Sequence, residues 1–308
     1  VFTPPAPAYV GTSPSHKLAS RPFRELSQAV QIFPRVRYRR SNQAWSATPL
    51  DEDEPGEGIW IDAWELGGRR YSHWLFDVWP KLHALSRLGV LRGAGVVVND
   101  CGAALRAESL AALGVDAGLV RLVEGGGAEV LAERALRVGP IREVLYTPPW
   151  IIEAVRAAFL PAGSPARGRR RLYITRAGAS RRRVANEAAL LEMVQARGFE
   201  CVALETLSLA ETAALMSEAE MVLAPHGAGL ANIVFCPPGC RVVEFFALHI
   251  SPEYWLLAAR MGLDYALVEC AAPDGRYLHQ LSASQARDRD LCNPVDIVAD
   301  LQRIASVL

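Results

Sequence analysis

The sequence predicts an α/β protein of two domains, each built on a largely parallel sheet with helices on its faces. Short apolar runs alternate with segments of helical period from Ile59 onward, which is the pattern of repeated βαβ units. The chain has 308 residues, more than the ~100–200 expected of one domain. Near its middle, composition turns to Pro, Gly and Ala at Thr147-Pro148-Pro149 and again from Pro161 to Gly168, as in an interdomain connection. The expected organisation is an irregular arm over 1–54, an N-terminal α/β domain over 55–148, a C-terminal α/β domain over 149–275, and a tail over 276–308 that packs back on the N-terminal domain. The cleft between the domains is the default place for chemistry.

The arm is rich in Pro and Arg, ends in the acidic run Asp51 to Glu54, and has room for a strand or two. Trp60 and Trp64 then flank a strand, Gly67-Gly68 supplies a turn, and Tyr71 to Leu88 carries apolar residues at helical spacing. A strand at Ala94 to Val98, a small-residue helix at Gly102 to Leu113, a strand near Leu119 to Val123, apolar runs through Val138 and a helix at Trp150 to Leu160 follow. In the second half, strands at Leu172 to Ile174, Glu200 to Leu204, Met221 to Ala224, Arg241 to Phe246 and Tyr265 to Glu269 alternate with helices at Asn186 to Arg197, Ser208 to Ala219 and Pro252 to Met261. Ser208 and Glu211 have capping-box spacing, which fixes one helix start. Asn293-Pro294 reads as the start of a last helix, Val295 to Leu308.

Composition narrows the function. With 51% hydrophobic and 21% charged residues the chain is neither disordered nor collagen-like. Lys+Arg and Asp+Glu both number 33, and zero net charge argues against a general nucleic-acid binder or a polybasic membrane-surface protein. Only Lys17 and Lys81 are lysines, the other 31 basic residues being Arg. Genome composition bias explains most of that excess, although Arg is also the better bidentate phosphate ligand. The six Cys (101, 201, 236, 240, 270, 292) mostly fall in apolar runs, which reads as reduced thiols in a cytoplasmic protein. Cys236 and Cys240 lack the second Cys/His pair of a zinc site. No window reaches the ~18 apolar residues of a membrane span. The chain opens at Val1 rather than Met, so the sequence leaves open an anchor or signal upstream.

The most informative string is Ala224-Pro225-His226-Gly227-Ala228-Gly229-Leu230-Ala231-Asn232, which follows a buried strand and opens a helix. In an open α/β sheet this is the carboxyl end of a strand, where ligands collect. The glycines let a ligand approach the backbone, the helix N-terminus offers free N–H groups to an anion, and His226 is placed to donate to a phosphate or sugar oxygen. A tight strand-to-helix turn with a core His fits the same string. A second element, Tyr173-Ile174-Thr175-Arg176 followed by Arg181-Arg182-Arg183 and Asn186-Glu187, gathers cations at another helix start. Arg176 and one of Arg182 and Arg183 are expected to contact an anion, while Arg181 reads as solvated.

These strings, with V-A-L-E-T-L-S-L-A-E and P-P-G-C-R-V-V-E after them, resemble glycosyltransferase family 61 over about Leu172 to Glu244. More loosely, Tyr71-Ser72-His73-Trp74-Leu75-Phe76-Asp77-Val78-Trp79-Pro80 resembles the family's H-x-x-x-D-x-x-P helix. Residues 1–55 and 90–165 match no motif. The resemblance is to a bacterial capsular or exopolysaccharide type of member. It implies a GT-B-like fold, with two Rossmann-like α/β/α domains facing across a cleft, and an inverting transfer from a nucleotide sugar, UDP-linked, to a glycan or glycolipid acceptor. It also implies no cofactor, no essential metal and no nucleic-acid partner, in a cytoplasmic protein associated peripherally with inner-membrane assembly machinery. Neither D-x-D string, Asp51-Glu52-Asp53 nor Asp288-Arg289-Asp290, follows a strand that can be assigned. Arg, His and helix N-termini would then stabilise the leaving diphosphate.

Carried over residue by residue, Arg176, Arg182 and His226 contact the diphosphate, with Arg183 and Asn186 beside them, and the run Gly227, Ala228, Gly229, Leu230 to Asn232 lies against the donor. Glu244 accepts from ribose hydroxyls and Glu205 shapes the nucleoside pocket, where capping alone accounts for Ser208 and Glu211. Inversion needs a base for the acceptor hydroxyl. His73 and Asp77 share a helix face at i,i+4, and the expected roles are Asp77 as base with His73 orienting it or touching the donor. A helix-terminal pair satisfied by backbone groups fits the same spacing. His83 and most of the tryptophans read as core. A non-catalytic nucleotide- or polysaccharide-binding module is the alternative function. The chain lacks both the early G-x-G-x-x-G of a nicotinamide-dependent oxidoreductase and the G-x-S-x-G elbow of a serine hydrolase.

Overall fold

The computed structural model describes residues 30–123, 127–142 and 146–308. They form two compact units, one ending at residue 158 and the other running from 159 to 308. The first part of the arm, 1–29, lies outside the described residues.

In the first unit a six-stranded sheet has the order β2-β1-β6-β3-β4-β5, with β1 Val30–Arg40, β2 Trp45–Pro49, β3 Ile59–Asp62, β4 Gly95–Val98, β5 Val120–Leu122 and β6 Ala128–Val138. The arm, which had room for a strand or two, thus holds two, β1 and β2. Val36, Tyr38 and Arg40 point inward while Arg37 and Arg39 point outward to Glu129, so the Arg-rich text hides a period of two. β1 runs antiparallel to both β2 and β6, whereas β6, β3, β4 and β5 are mutually parallel. The string Asp51-Glu52-Asp53 therefore does follow a strand, the edge strand β2.

The β3–β4 crossover holds a continuous helix, α1, made of Tyr71–His73, a π-helical turn Trp74–Val78 and Trp79–Arg87. Pro80 has no N–H to offer the regular ladder, and the Trp79 N–H reaches back five residues to the Trp74 carbonyl. The indoles of Trp74 and Trp79 are fully buried and donate to the Ser109 hydroxyl and carbonyl, both at 2.9 Å, which pins α1 to α2, Ala103–Ala111. These tryptophans are core anchors. The next helix, α3 Pro149–Phe159, packs Trp150 on the same core, so the boundary between units falls after this helix and not before it.

The second unit is a five-stranded, wholly parallel sheet in the order β11-β10-β9-β7-β8. Its strands are β7 Arg170–Ile174, β8 Phe199–Val202, β9 Ala219–Pro225, β10 Arg241–Phe246 and β11 Asp264–Glu269, and its crossover helices are α4 Glu187–Gln195, α5 Leu209–Ser217 and α6 Glu253–Met261. The capping box of Ser208 and Glu211 is present. β9 and β10 are buried along nearly their whole length, as parallel strands covered on both faces must be. Each fully buried Leu, Val, Ile or Phe contributes ~1.5–3 kcal/mol.

The tail departs from expectation. Val295 to Ala299 is extended rather than helical, with Ile297 bridged to Val184 and Val298 to Ala271. It follows two short helices, α7 Ala283–Arg287 and α8 Arg289–Cys292, and only α9, Leu301–Ala305, is helical beyond it. The Asn186 amide explains the extended stretch, because it donates to the Ala299 carbonyl at 2.9 Å and accepts from its N–H at 2.7 Å. Cys292, Ile297 and Ile304 then join the core of the second unit.

Candidate active site

In both sheets chemistry gathers at the carboxyl ends of neighbouring parallel strands, where open α/β sheets bind ligands, above all at a switch point whose two strands send their crossovers in opposite directions. In the first unit the two strands are β3 and β6. The segment after β3 leads to His73 and Asp77 on α1, and Arg142 follows β6. His73 Nδ1 donates to Asp77 Oδ2 at 2.7 Å. Arg142 closes on the same carboxylate with Nε at 2.6 Å from Oδ1 and Nη2 at 2.9 Å from Oδ2, and its Nη1 donates to Thr147 Oγ1 at 3.1 Å. Burial alone would raise the Asp77 carboxyl; the hydrogen bonds from His73 and Arg142 and the Arg142 charge outweigh it and hold Asp77 below the ordinary carboxylate range.

A carboxylate fixed by a bidentate arginine is a poor proton acceptor and a good orienting group. The geometry therefore favours the reverse of the expected roles. Asp77 holds Nδ1–H, and no hydrogen bond among the described residues engages His73 Nε2. Gly67 backs the imidazole. Its φ of +87° suits glycine, and a Cβ there would lie 3.1 Å from His73 Cδ2. The Gly67-Gly68 turn is braced in turn by Asn99, which exchanges two 3.0 Å hydrogen bonds with the Glu65 backbone, and by Lys81. Fully buried, Lys81 donates to Glu65 Oε2 at 2.7 Å, Val138 O at 3.2 Å and Trp64 O at 3.4 Å.

The clamp has a consequence in acid. A carboxyl depressed in the folded state stabilises the fold above its unfolded pKa of ~3.9, and that contribution is lost as pH falls through the folded value. In calorimetry, the difference in Tm between wild type and Asp77→Asn should be widest above pH ~5 and close progressively below pH ~4. A gap that widens in acid would contradict the assigned shift.

In the second unit the switch point lies between β7 and β9, and the expected donor residues meet there. Arg176 follows β7, and its guanidinium donates to two loop carbonyls, Nε to Arg182 O at 3.3 Å and Nη2 to Arg181 O at 3.0 Å. No carboxylate among the described residues forms an ion pair with it; burial lowers its pKa, and the charge of Glu205 opposes that in part. It lies directly on Gly227, where a Cβ would sit 2.1 Å from Nη1. His226 at the tip of β9 is 5% exposed, with its N–H held by Phe245 O at 2.8 Å and its rim formed by the rings of His249 and Tyr254. The 3-10 helix Ala228–Phe235 follows. The N–H groups of Ala228 and Gly229 carry no hydrogen bond among the described residues, and the Asn232 amide donates to Gly229 O at 3.0 Å, fixing that first turn.

Other expected contacts are committed elsewhere. Arg182 has φ +54° and reaches His226 O at 3.3 Å and Asn293, so it braces the loop beside the site. Arg183 is exposed and pairs with Asp296, Asn186 serves the tail, and Leu230 is buried in the core. Glu205 is exposed over Gly178. Glu244 differs most from expectation: it is 0% exposed, and its two oxygens accept from His226 Nδ1 and the Tyr265 hydroxyl, which leaves no oxygen for ribose. Sequence reading missed Arg142 and Tyr265. Arg142 lies 65 residues from Asp77, and no spacing rule links them.

Among the described residues no group of three His, Cys, Asp or Glu side chains is placed to hold a metal ion, and no two of the six cysteines are joined in a disulfide. No helix among them is long and apolar enough to cross a membrane.

A two-unit α/β chain with a cation-lined switch point and a second, acid–base cluster has the parts of a group-transfer protein. The family described as Glycosyltransferase 61 matches residues 71–243, more than half of the sequence, and the chain belongs to that family. Protein O-linked-mannose beta-1,4-N-acetylglucosaminyltransferase 2 from Tetraodon nigroviridis is 37% identical over 93 residues, which are 28% of this chain and 16% of that protein. The Homo sapiens protein of the same name is 35% identical over 95 residues, again 28% and 16%, and that of Bos taurus 32% over 108 residues, 32% and 18%. The similarity thus spans less than a fifth of each relative's length.

Proposed function

We propose that this chain transfers a sugar from a nucleotide-diphosphate donor to a glycan or glycolipid acceptor, with inversion and without a metal. The observation that carries the reading is Arg176, a part-buried guanidinium with no carboxylate ion pair among the described residues, laid on Gly227 beside the free amides of Ala228 and Gly229. A diphosphate supplies the charge this arrangement lacks. In this GT-B-like scheme the second unit holds the donor and the first supplies the base. The acceptor hydroxyl attacks the anomeric carbon as its proton passes to His73 Nε2; the bond from that carbon to the phosphate oxygen breaks, and the nucleoside diphosphate leaves with its charge stabilised by Arg176, His226 and the two amides. A UDP-linked N-acetylhexosamine is the first donor to try, because the relatives' names specify N-acetylglucosaminyl transfer. A role in surface-polysaccharide assembly, at the cytoplasmic side of a membrane, fits such an acceptor.

A thermal-shift panel of UDP, GDP, CMP and dTDP, each with EDTA, tests the donor site against Arg176→Ala. Ligand at a hundredfold excess over Kd is expected to stabilise the wild type by ~2.7 kcal/mol, with the shift surviving EDTA and vanishing in the variant. No shift from any nucleotide in folded protein would sink the reading. Binding without sugar turnover would favour a non-catalytic nucleotide-binding module.

A further inference from the structure

A glutamate with no exposed surface is rare unless it is paired, and Glu244 is buried completely in the middle of a parallel sheet. Its position explains why it is there. β9, β10 and β11 are adjacent, and each contributes one side chain to a single hydrogen-bonded chain, from the Tyr265 hydroxyl on β11 to Glu244 on β10 to His226 at the tip of β9. Burial and then the Glu244 carboxylate push the Tyr265 hydroxyl up, so it remains a protonated donor. Both Glu244 oxygens are therefore acceptors in use, one for Tyr265 and one for His226 Nδ1–H. No hydrogen bond among the described residues engages His226 Nε2, although the residue is 5% exposed.

We propose that Glu244 and Tyr265 are positioning residues that fix His226 with the hydrogen on Nδ1 and present Nε2 to the bound donor. The proposal rests on the donor-site reading for what Nε2 touches, and on geometry alone for the imidazole itself. Neither residue meets the ligand. A buried carboxylate placed for this purpose does what a carboxylate does behind other functional imidazoles: it selects one tautomer and one ring orientation. The ring contacts from His249 and Tyr254 limit tilting but do not choose between the nitrogens.

Three variants separate orientation from mere packing. Glu244→Gln retains both hydrogen bonds, its carbonyl accepting from Nδ1–H and its amide donating to the Tyr265 oxygen. Glu244→Leu fills the same apolar space and supplies neither bond. Tyr265→Phe leaves one Glu244 oxygen unpaired. Nitrogen-15 NMR of the histidine side chains, assigned with His226→Asn, is expected to show the Nδ1–H form in wild type and Glu244→Gln and the Nε2–H form in Glu244→Leu. UDP affinity, measured by calorimetry, should stay near wild type in Glu244→Gln and fall about 10- to 100-fold in Glu244→Leu, with Tyr265→Phe between, as when one buried partner goes unsatisfied. An Nε2–H His226 in wild type, or a Glu244→Leu protein that keeps the Nδ1–H form, overturns the proposal. The expected tautomers in a protein that binds no nucleotide would instead overturn the donor-site reading and leave the positioning role standing, so the two failures are distinct.

Discussion

His73→Gln is expected to reduce kcat by ~10²- to 10⁴-fold, the range for loss of a general base, and to leave the affinity for the nucleotide unchanged. The glutamine is close in size and polar, so the Gly67 backing and the Asp77 contact lose little packing. Asp77→Asn should reduce kcat less. Its amide can still occupy the space between Arg142 and His73, but it faces Arg142 with one oxygen where two N–H donors converge at 2.6 and 2.9 Å. The double variant should be no slower than His73→Gln, because residues that act as a unit are not additive. Initial rates over a donor titration, with nucleotide affinity by calorimetry, check all three. The opposite order, with His73→Gln nearly active and Asp77→Asn inactive, would make Asp77 the base and return the roles to those expected from spacing. The structural argument against that order is the clamp on Asp77: a carboxylate held bidentately by a guanidinium, and pushed below the usual range by the hydrogen bonds of His73 and Arg142 and by the Arg142 charge, gives up much of its proton affinity.

Spacing was enough to place His73 beside Asp77, and the string from Ala224 to Asn232 was enough to put His226 and the two glycines at a strand tip, because these are local relations along one helix or one turn. The long-range partners were not legible. Arg142 reaches Asp77 only because β3 and β6 are neighbours in the sheet, and Tyr265 reaches Glu244 only because β10 and β11 are. Glu244 was misread for a related reason. The apolar run around the Glu in V-V-E-F-F says that a carboxylate lies in a buried strand, and a buried carboxylate must have a partner, but strand order alone decides whether that partner is a ligand or a neighbouring His. The two strands of the arm show a different limit: a strand or two was expected there, but Pro and Arg content masked the alternation of Val36, Tyr38 and Arg40 against Arg37 and Arg39 that would have placed the first. In the tail, Asn293-Pro294 is a sound helix-start signal in isolation, and the Asn186 amide overrides it by engaging the Ala299 backbone.

Gly227→Ala should fold with a Tm close to wild type and yet bind the donor nucleotide at least about tenfold more weakly. Gly227 has φ 165°, an extended conformation open to any residue, so backbone strain is not the reason for glycine here. The reason is the guanidinium of Arg176, whose Nη1 and Cζ would lie 2.1 and 2.8 Å from the added methyl. Those atoms are the end of a flexible side chain, and moving them costs the fold little. Moving them does cost the site, since among the described residues the hydrogen bonds of the Arg176 guanidinium go to the carbonyls of Arg181 and Arg182, at 3.0 and 3.3 Å, and a shift away from Gly227 breaks that seat. Loss of one charge-assisted contact to a phosphate is worth ~1.5–3 kcal/mol, about 10- to 100-fold in affinity. The comparison with Arg176→Ala makes the argument sharp. If the methyl acts through Arg176, the two changes together should weaken binding no more than Arg176→Ala alone, because the second has nothing left to displace. Additive losses in that cycle would mean that Gly227 meets the ligand itself, and the close approach of Arg176 to its α-carbon would then have to be explained as packing.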